Sequence, residues 1–251
     1  MLIDTHTHLI DRYIPADELP GVLARAADAG VEIMICPSAD PADPADIIKL
    51  IESHKNIYGM IGIHPHYSAN ASASASFLDH PKIVAVGEIG LDYYYNKDTR
   101  DEQKKLFRQQ MELARIAALP VAIHTRDAAA DTIEILREFP EVFGVMHFYT
   151  GSWETAKILL DMGYYFSAAG VMTFKNAGAI RDVFARLPID KIVVETDAPY
   201  SAPVPYRGKT CEPAMMIETV KTLAEIRNIP RNELEKNLFE NTKKLFPKLQ
   251  I

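Results

Sequence analysis

This chain of 251 residues has little cysteine, no long apolar run and no excess of positive charge, and each shortage excludes something. Its two cysteines, Cys36 and Cys211, lie far apart and form no CxxC pair. A disulfide framework and a thiolate metal site are therefore set aside, with one cysteine expected as a small buried hydrophobe and the other as a loop thiol. No apolar stretch approaches the roughly 20 residues that cross a bilayer, so no membrane partner is expected. The opening LIDTHTHL reads directly as a strand, which leaves no room for a signal peptide and points to a cytoplasmic enzyme. A formal net charge of -7 argues against broad adhesion to nucleic acid. It leaves a nucleic-acid substrate open, because a bound divalent ion adds local positive charge that residue counting misses. A glycine-rich phosphate loop of Walker or Rossmann type is missing too, which weakens an open doubly wound sheet. Nothing resembles a linker, and ASASAS (Ala71–Ser76) is the only low-complexity stretch. One domain over residues 1–251, with no obligate protein partner, is the expectation.

What is present is a regular alternation of short β-rich runs with longer helical ones. Strands are predicted at Met1–His8, Val31–Cys36, Ile57–Ile63, Ile83–Ile89, Val121–His124, Val142–His147, Tyr164–Ser167 and Lys191–Glu195. Helices are predicted at Ala16–Ala29, Pro44–His54, Arg100–Ala118, Ala128–Phe139, Trp153–Met162 and Asn176–Leu187, then at Pro213–Arg227 and Arg231–Phe246. A weak helix is expected at Ala71–His80. Strands that read as continuous apolar runs are buried on both faces, as in parallel sheets joined by helical crossovers. Eight such units predict an α/β fold, a (β/α)8 TIM-type barrel.

Polar side chains gather where these strands end. Six of the eight histidines do so: His6 and His8 in DTHTH, His64 and His66 in GIHPH, His124 in VAIH and His147 in FGVMH. Glu88 ends the fourth run and Asp197 follows the eighth. In a barrel these positions open onto the active-site mouth. His6 and His8, two apart on a strand, leave the same face and suit a shared metal. Glu88 is either a salt-bridged carboxylate or one that bridges two metals. His124 and His147 suit the second metal. Asp197 either coordinates metal or takes a proton from a bound water. Asp4 and Glu195, one layer deeper, are either buried ion-pair partners or carboxylates that orient the imidazoles. His64 and His66 are expected at substrate rather than at metal, and His54 and His80 read as structural. Arg126, Arg207 and Lys209 offer cations for phosphate, with a solvated surface charge suiting Lys209 better than it suits either arginine. Tyr93–Tyr95 either stacks a base or sugar or simply packs.

Together DTHTHL, GIHPH, GEIGLDYYY, HTRDA, HFYTGS and ETDAPYSAPVPYRGK resemble the TatD family of metal-dependent hydrolases, the TatD-type deoxyribonucleases of the amidohydrolase superfamily. The resemblance runs from residue 4 to about residue 213. It implies a TIM-type barrel with two divalent metal ions, with His6, His8 and Asp197 on one, His124 and His147 on the other, and Glu88 between them. It implies hydrolysis by a metal-bound hydroxide, with Asp197 and Glu88 as catalytic residues and DNA or another phosphodiester as substrate. The mixed donor set suits zinc, manganese, cobalt or iron, with magnesium less favoured. A 3'-5' exonuclease-like deoxyribonuclease is the leading expectation. A metal-dependent amide, ester or aminoacyl-tRNA deacylase is the alternative. The chain departs from the family at Phe148 and Tyr149, where HCFSG is usual, and at Thr210 and Cys211. Both changes bear on substrate preference.

Overall fold

A computed structural model describes every residue of the chain except Asn70 and Asn96. Among the described residues, eight parallel strands follow the order β1 to β8: β1 (Leu2–Asp4), β2 (Val31–Pro37), β3 (Ile57–Ile61), β4 (Ile83–Asp92), β5 (Val121–Arg126), β6 (Gly144–Met146), β7 (Tyr165–Ala168) and β8 (Ile192–Val194). The Thr5 N–H donates to the Val194 carbonyl, joining the first strand segment to the last. This is the (β/α)8 class expected from the alternation of runs.

The helices are α1 (Leu19–Asp28), α2 (Pro44–Ser53), α3 (Arg100–Ala117), α4 (Ala129–Arg137), α5 (Trp153–Asp161), α6 (Gly178–Arg186), α7 (Met216–Arg227) and α8 (Arg231–Leu245). Each buries one stripe: α1 inserts Leu19, Val22 and Ala26, and α2 inserts Ile47, Leu50 and Ile51. That spacing is the apolar stripe of a 3.6-residue helix laid on a sheet. No helix forms at residues 71–80. The alternating Ala and Ser residues there supply no apolar stripe. The Ser74 hydroxyl instead accepts from the Ser76 N–H, the local competition by which serine disfavours helix interiors.

The chain packs as two compact units. The first comprises Met1–Cys36, Phe148–Ala156 and Tyr165–Lys244, and so holds β1, β2, β7 and β8. The second comprises Pro37–His147, Lys157–Tyr164 and Leu245–Ile251, and holds β3 to β6. In the first, β7 and β8 run in register from Phe166↔Ile192 to Ala168↔Val194. Asn241 of α8 secures the start of β8 by donating to the carbonyls of Ile189 and Ile192. Cys211, expected as a loop thiol, is instead enclosed with Ala198 and Ala202 under Tyr206 and Met215.

In the second unit β4 is the longest strand, and all ten of its residues are buried. Its register against β5 shifts between Val86 and Ile89, where three steps of β4 oppose two of β5. Such an extra residue re-aims side chains, and Glu88 lies within it. Two residues on, Gly90 pairs with His124 at φ +137°, and a Cβ there would fall 2.0 Å from the His124 carbonyl oxygen. Only glycine allows this close approach of the two strands.

Burial of both thiols gives a first prediction. Cys36 is fully enclosed, and burial, reinforced by the nearby Asp4 and Asp197 carboxylates, pushes the Cys211 thiol up to about 12. Because the thiolate is the reactive form, a disulfide-exchange reagent at neutral pH should label neither cysteine in the native protein and both after denaturation. Rapid native labelling of Cys211 would show that its loop opens.

Candidate metal centre

In the first unit, the chain bends just past β1 and is gripped on both sides. The N–H groups of Thr7 and His8 donate to Ile35 and Ala198 carbonyls, and Asp197 N–H donates to His6 carbonyl. Buried Asp4 locks this arrangement: one carboxylate oxygen accepts from the His6 and Thr196 N–H groups, and the other from the Thr196 hydroxyl. Burial pushes the Asp4 carboxyl up to about 8, against those hydrogen bonds. Asp4 thus fastens the backbone of two site segments. Glu195 likewise accepts from a backbone group, the Phe148 N–H, at 2.8 Å.

This frame brings His6, His8 and Asp197 together. Asp197 Oδ1 lies 3.9 Å from His6 Nε2 and 3.5 Å from His8 Nε2, and the two imidazoles stand edge to face at 5.2 Å. Asp197 reaches this position from a left-handed backbone conformation, φ +58°, which aspartate tolerates better than most residues. His8 Nδ1 is buried and makes no hydrogen bond. Two imidazole Nε2 atoms facing one carboxylate oxygen, largely out of solvent, are the donor chemistry of a divalent-metal site.

In the second unit three imidazoles converge on one oxygen. Glu88 Oε1 lies 2.9 Å from His124 Nδ1, 3.5 Å from His147 Nε2 and 3.6 Å from His64 Nε2. The two sides of His124 differ in role. Its Nδ1 faces Glu88, and its Nε2 lies 3.2 Å from Asp92 Oδ2. Burial works against a charge on this ring, yet the hydrogen bonds to Asp92 and Glu88 raise its pKa above the ordinary value. A metal-ligating histidine characteristically gives its other N–H to a carboxylate, and Asp92 is placed to receive it. His64 has the opposite polarity. Its Nδ1 accepts from the His66 backbone N–H, and burial holds its pKa well below the ordinary value despite the Glu88 charge. In the neutral ring the proton then sits on Nε2, the atom turned towards Glu88. By position His64, Glu88 and His124 form a candidate ligand group. By tautomer His64 is a hydrogen-bond donor.

Asp92 is a site residue that sequence reasoning missed. It is buried, its Oδ1 accepts from the N–H groups of Tyr94 and Tyr95, and its Oδ2 faces His66 and His124. Burial opposes its ionisation, but those hydrogen bonds hold the carboxyl far below the usual carboxylate range. Extending the strand period past Ile89 would have placed Asp92 on the site face with Gly90.

Two buried glutamines of α3 were also missed. The Gln103 amide accepts from the Asp92 N–H at 2.8 Å and donates to the Asp92 carbonyl at 3.0 Å. Gln110, two turns later, does the same to Ile63 at 2.7 and 3.1 Å. Each amide mimics a strand neighbour and fixes the backbone just where Asp92 and His64 leave the sheet. Ser38 adds a third fastening, exchanging hydroxyl bonds with Gly62 while its carbonyl accepts from the Glu88 N–H. Polar residues on the buried face of a helix were the available signal.

The expected cations are all exposed. Arg126 lies over the rings of Tyr94 and Tyr95, Arg207 over Phe174, and Lys209 near Tyr206. His66 bonds to Asp92 at 3.1 Å. His54 and His80 lie apart: His54 Nδ1 bonds to the Leu50 carbonyl and His80 pairs loosely with Glu52.

With this geometry in hand, comparison with known proteins is decisive. A sequence profile of the TatD related DNase family matches residues 3–247. The chain belongs to that family. The metal-dependent hydrolase YabD of Bacillus subtilis is 37% identical over 253 positions, covering 98% of this chain and 99% of that protein. YcfH of Escherichia coli, also described as a metal-dependent hydrolase, is 35% identical over 98% of this chain and 95% of its own length. The crystal structure of YjjV, a TatD homolog from Escherichia coli, matches with a TM-score of 0.89 at 31% identity, covering 98% of each chain. This protein is therefore a TatD-type metal-dependent hydrolase, and it carries two distinct His-carboxylate clusters able to hold divalent ions. Among the described residues, no helix of this TatD-family chain is long and apolar enough to cross a membrane.

The glutamine clamps are testable without any substrate. Replacing Gln110 by leucine removes one donor and one acceptor from buried Ile63, which should cost about 2–4 kcal/mol of stability. Urea unfolding of the metal-free protein measures it. An unchanged midpoint would mean that the clamp is not made in solution.

Proposed function

We propose that this TatD-type hydrolase is a deoxyribonuclease that removes nucleotides from DNA ends, 3'-5' exonuclease-like. The observation that carries the reading is the pair of His-carboxylate clusters. Exposed arginines support it, Arg126 in one unit and Arg207 in the other. In this reading His6, His8 and Asp197 would hold one divalent ion, and Glu88, His124 and His147 would hold a second. Zinc, manganese, cobalt, iron and magnesium are the candidate ions. Such ions supply Lewis acidity, lowering the pKa of water and neutralising charge on the phosphoryl group.

The protein's own groups do the rest. Asp197, the least buried of its cluster, accepts the proton of the attacking water and returns it to the leaving oxygen. His64 stays neutral and presents an N–H, and His66 is steadied by Asp92. Both suit phosphate or sugar oxygens better than metal. Arg126 and Arg207 take non-bridging phosphate oxygens, since a guanidinium matches phosphate geometry with paired donors. Lys209 contributes charge from the same loop as Arg207.

Metal analysis should find two equivalents per chain, and both His6→Ala and Glu88→Ala should lower that number. A protein that binds no metal would remove the basis of the proposal. A panel crossing these ions with labelled oligonucleotides, small phosphodiesters and acyl esters tests the substrate. Single-stranded or recessed-end DNA should be cleaved, with Asp197→Asn slower by roughly 10²–10⁴-fold, the usual contribution of a general base. Arg207→Ala should weaken phosphodiester turnover by about tenfold or more. Turnover confined to acyl esters and indifferent to Arg207→Ala would assign the deacylase activity instead.

A further inference from the structure

The three consecutive tyrosines after Asp92 divide by function. Tyr93 is a packing residue: buried, its hydroxyl bonded to Asp131 at 2.6 Å, its ring under Arg100. Tyr94 and Tyr95 are 53% and 61% exposed. Their rings stand perpendicular with centroids 4.7 Å apart. The Arg126 guanidinium lies 3.9 Å from one ring centre and 4.7 Å from the other. The His66 ring meets Tyr95 edge-on at 5.3 Å.

Position distinguishes this patch from a chance exposure of aromatics. The backbone N–H groups of both tyrosines donate to Asp92 Oδ1, at 2.9 and 3.0 Å. The other oxygen of the same carboxylate faces His124 and His66. Asp92 is itself clamped by Gln103. A single buried carboxylate thus ties the aromatic pair to the cluster around Glu88. Arg126 comes from the same strand as His124, two residues on, and pairs in register with Asp92.

We infer that Tyr94, Tyr95 and Arg126 form a stacking subsite for one unpaired nucleobase of the substrate. The inference rests on the nuclease reading and narrows it: the substrate carries a base next to the bond that breaks, and that base is out of a duplex. Aromatic faces stack on any base with little sequence preference, while arginine adds a cation that follows the backbone. His66 closes the edge of the platform. The subsite selects a single-stranded or frayed end and rejects a small phosphodiester that has no base.

The test compares two labelled single-stranded oligonucleotides, one ending in normal nucleotides and one with abasic sugars at the three terminal positions of each end. The metal-loaded native protein should show a KM about tenfold or more lower for the base-bearing oligonucleotide, and fluorescence anisotropy should show the same preference in binding. The double variant Tyr94→Ala/Tyr95→Ala should lose the preference. Tyr94→Phe/Tyr95→Phe, which keeps both rings, should retain it and so separates stacking from a folding defect. Cleavage of both oligonucleotides with equal KM by the native protein would overturn the subsite while leaving the nuclease reading intact. So would a preference that survives removal of both rings. Failure to cleave either oligonucleotide would overturn the nuclease reading itself, and the subsite with it.

Discussion

A carboxylate buried beside imidazoles can keep its charge only if every lone pair is answered, and the second unit is built around meeting that demand. Asp92 accepts from two backbone N–H groups and faces two imidazole nitrogens, and its own backbone is held by Gln103. Without these partners burial would favour the neutral acid, and His124 Nε2 would lose the carboxylate it faces. With them, one side of His124 is committed to Asp92 and the other is left for Glu88. The direction in which the site presents its donors follows from this constraint.

The first unit uses its buried carboxyl group differently. Asp4 spends its oxygens on backbone and hydroxyl groups, so it braces the segments that carry His6 and Asp197 rather than the imidazoles. Asp197 keeps partial solvent access, unlike His6 and His8 beside it. Both units therefore use a deep carboxyl group, Asp4 or Asp92, as scaffold, and hold a less buried one, Asp197 or Glu88, against imidazole nitrogens. Gly90 makes the second arrangement possible by letting β4 and β5 approach closely at His124.

The class of fold was legible because parallel strands buried on both faces read as apolar runs, and helix stripes were equally plain in α1 and α2. Crossover structure was less so. Ala71–His80 has the length of a helix but no stripe, and serine side chains compete for its backbone. The site was legible as an inventory of metal-binding residue types at strand ends. Its internal logic was not, because that depends on which nitrogen faces which carboxylate. Asp92 was hidden by ending β4 at Ile89, three residues short. Gln103 and Gln110 were hidden among the polar residues of a charged helix. Cys211 looked like a loop thiol because its cover comes from residues close by in a proline-rich turn, which has no periodicity to read.

In the proposed reading tautomer, not proximity, decides which imidazoles hold metal. Anomalous diffraction at the zinc edge, from crystals soaked in zinc, tests it directly. Two peaks per chain are expected, one bonded by His6, His8 and Asp197, and one bonded by Glu88, His124 Nδ1 and His147, with His124 Nε2 still on Asp92 and His64 Nε2 outside the coordination sphere. A single peak, or a zinc bonded by His64 with His147 left unligated, would contradict it.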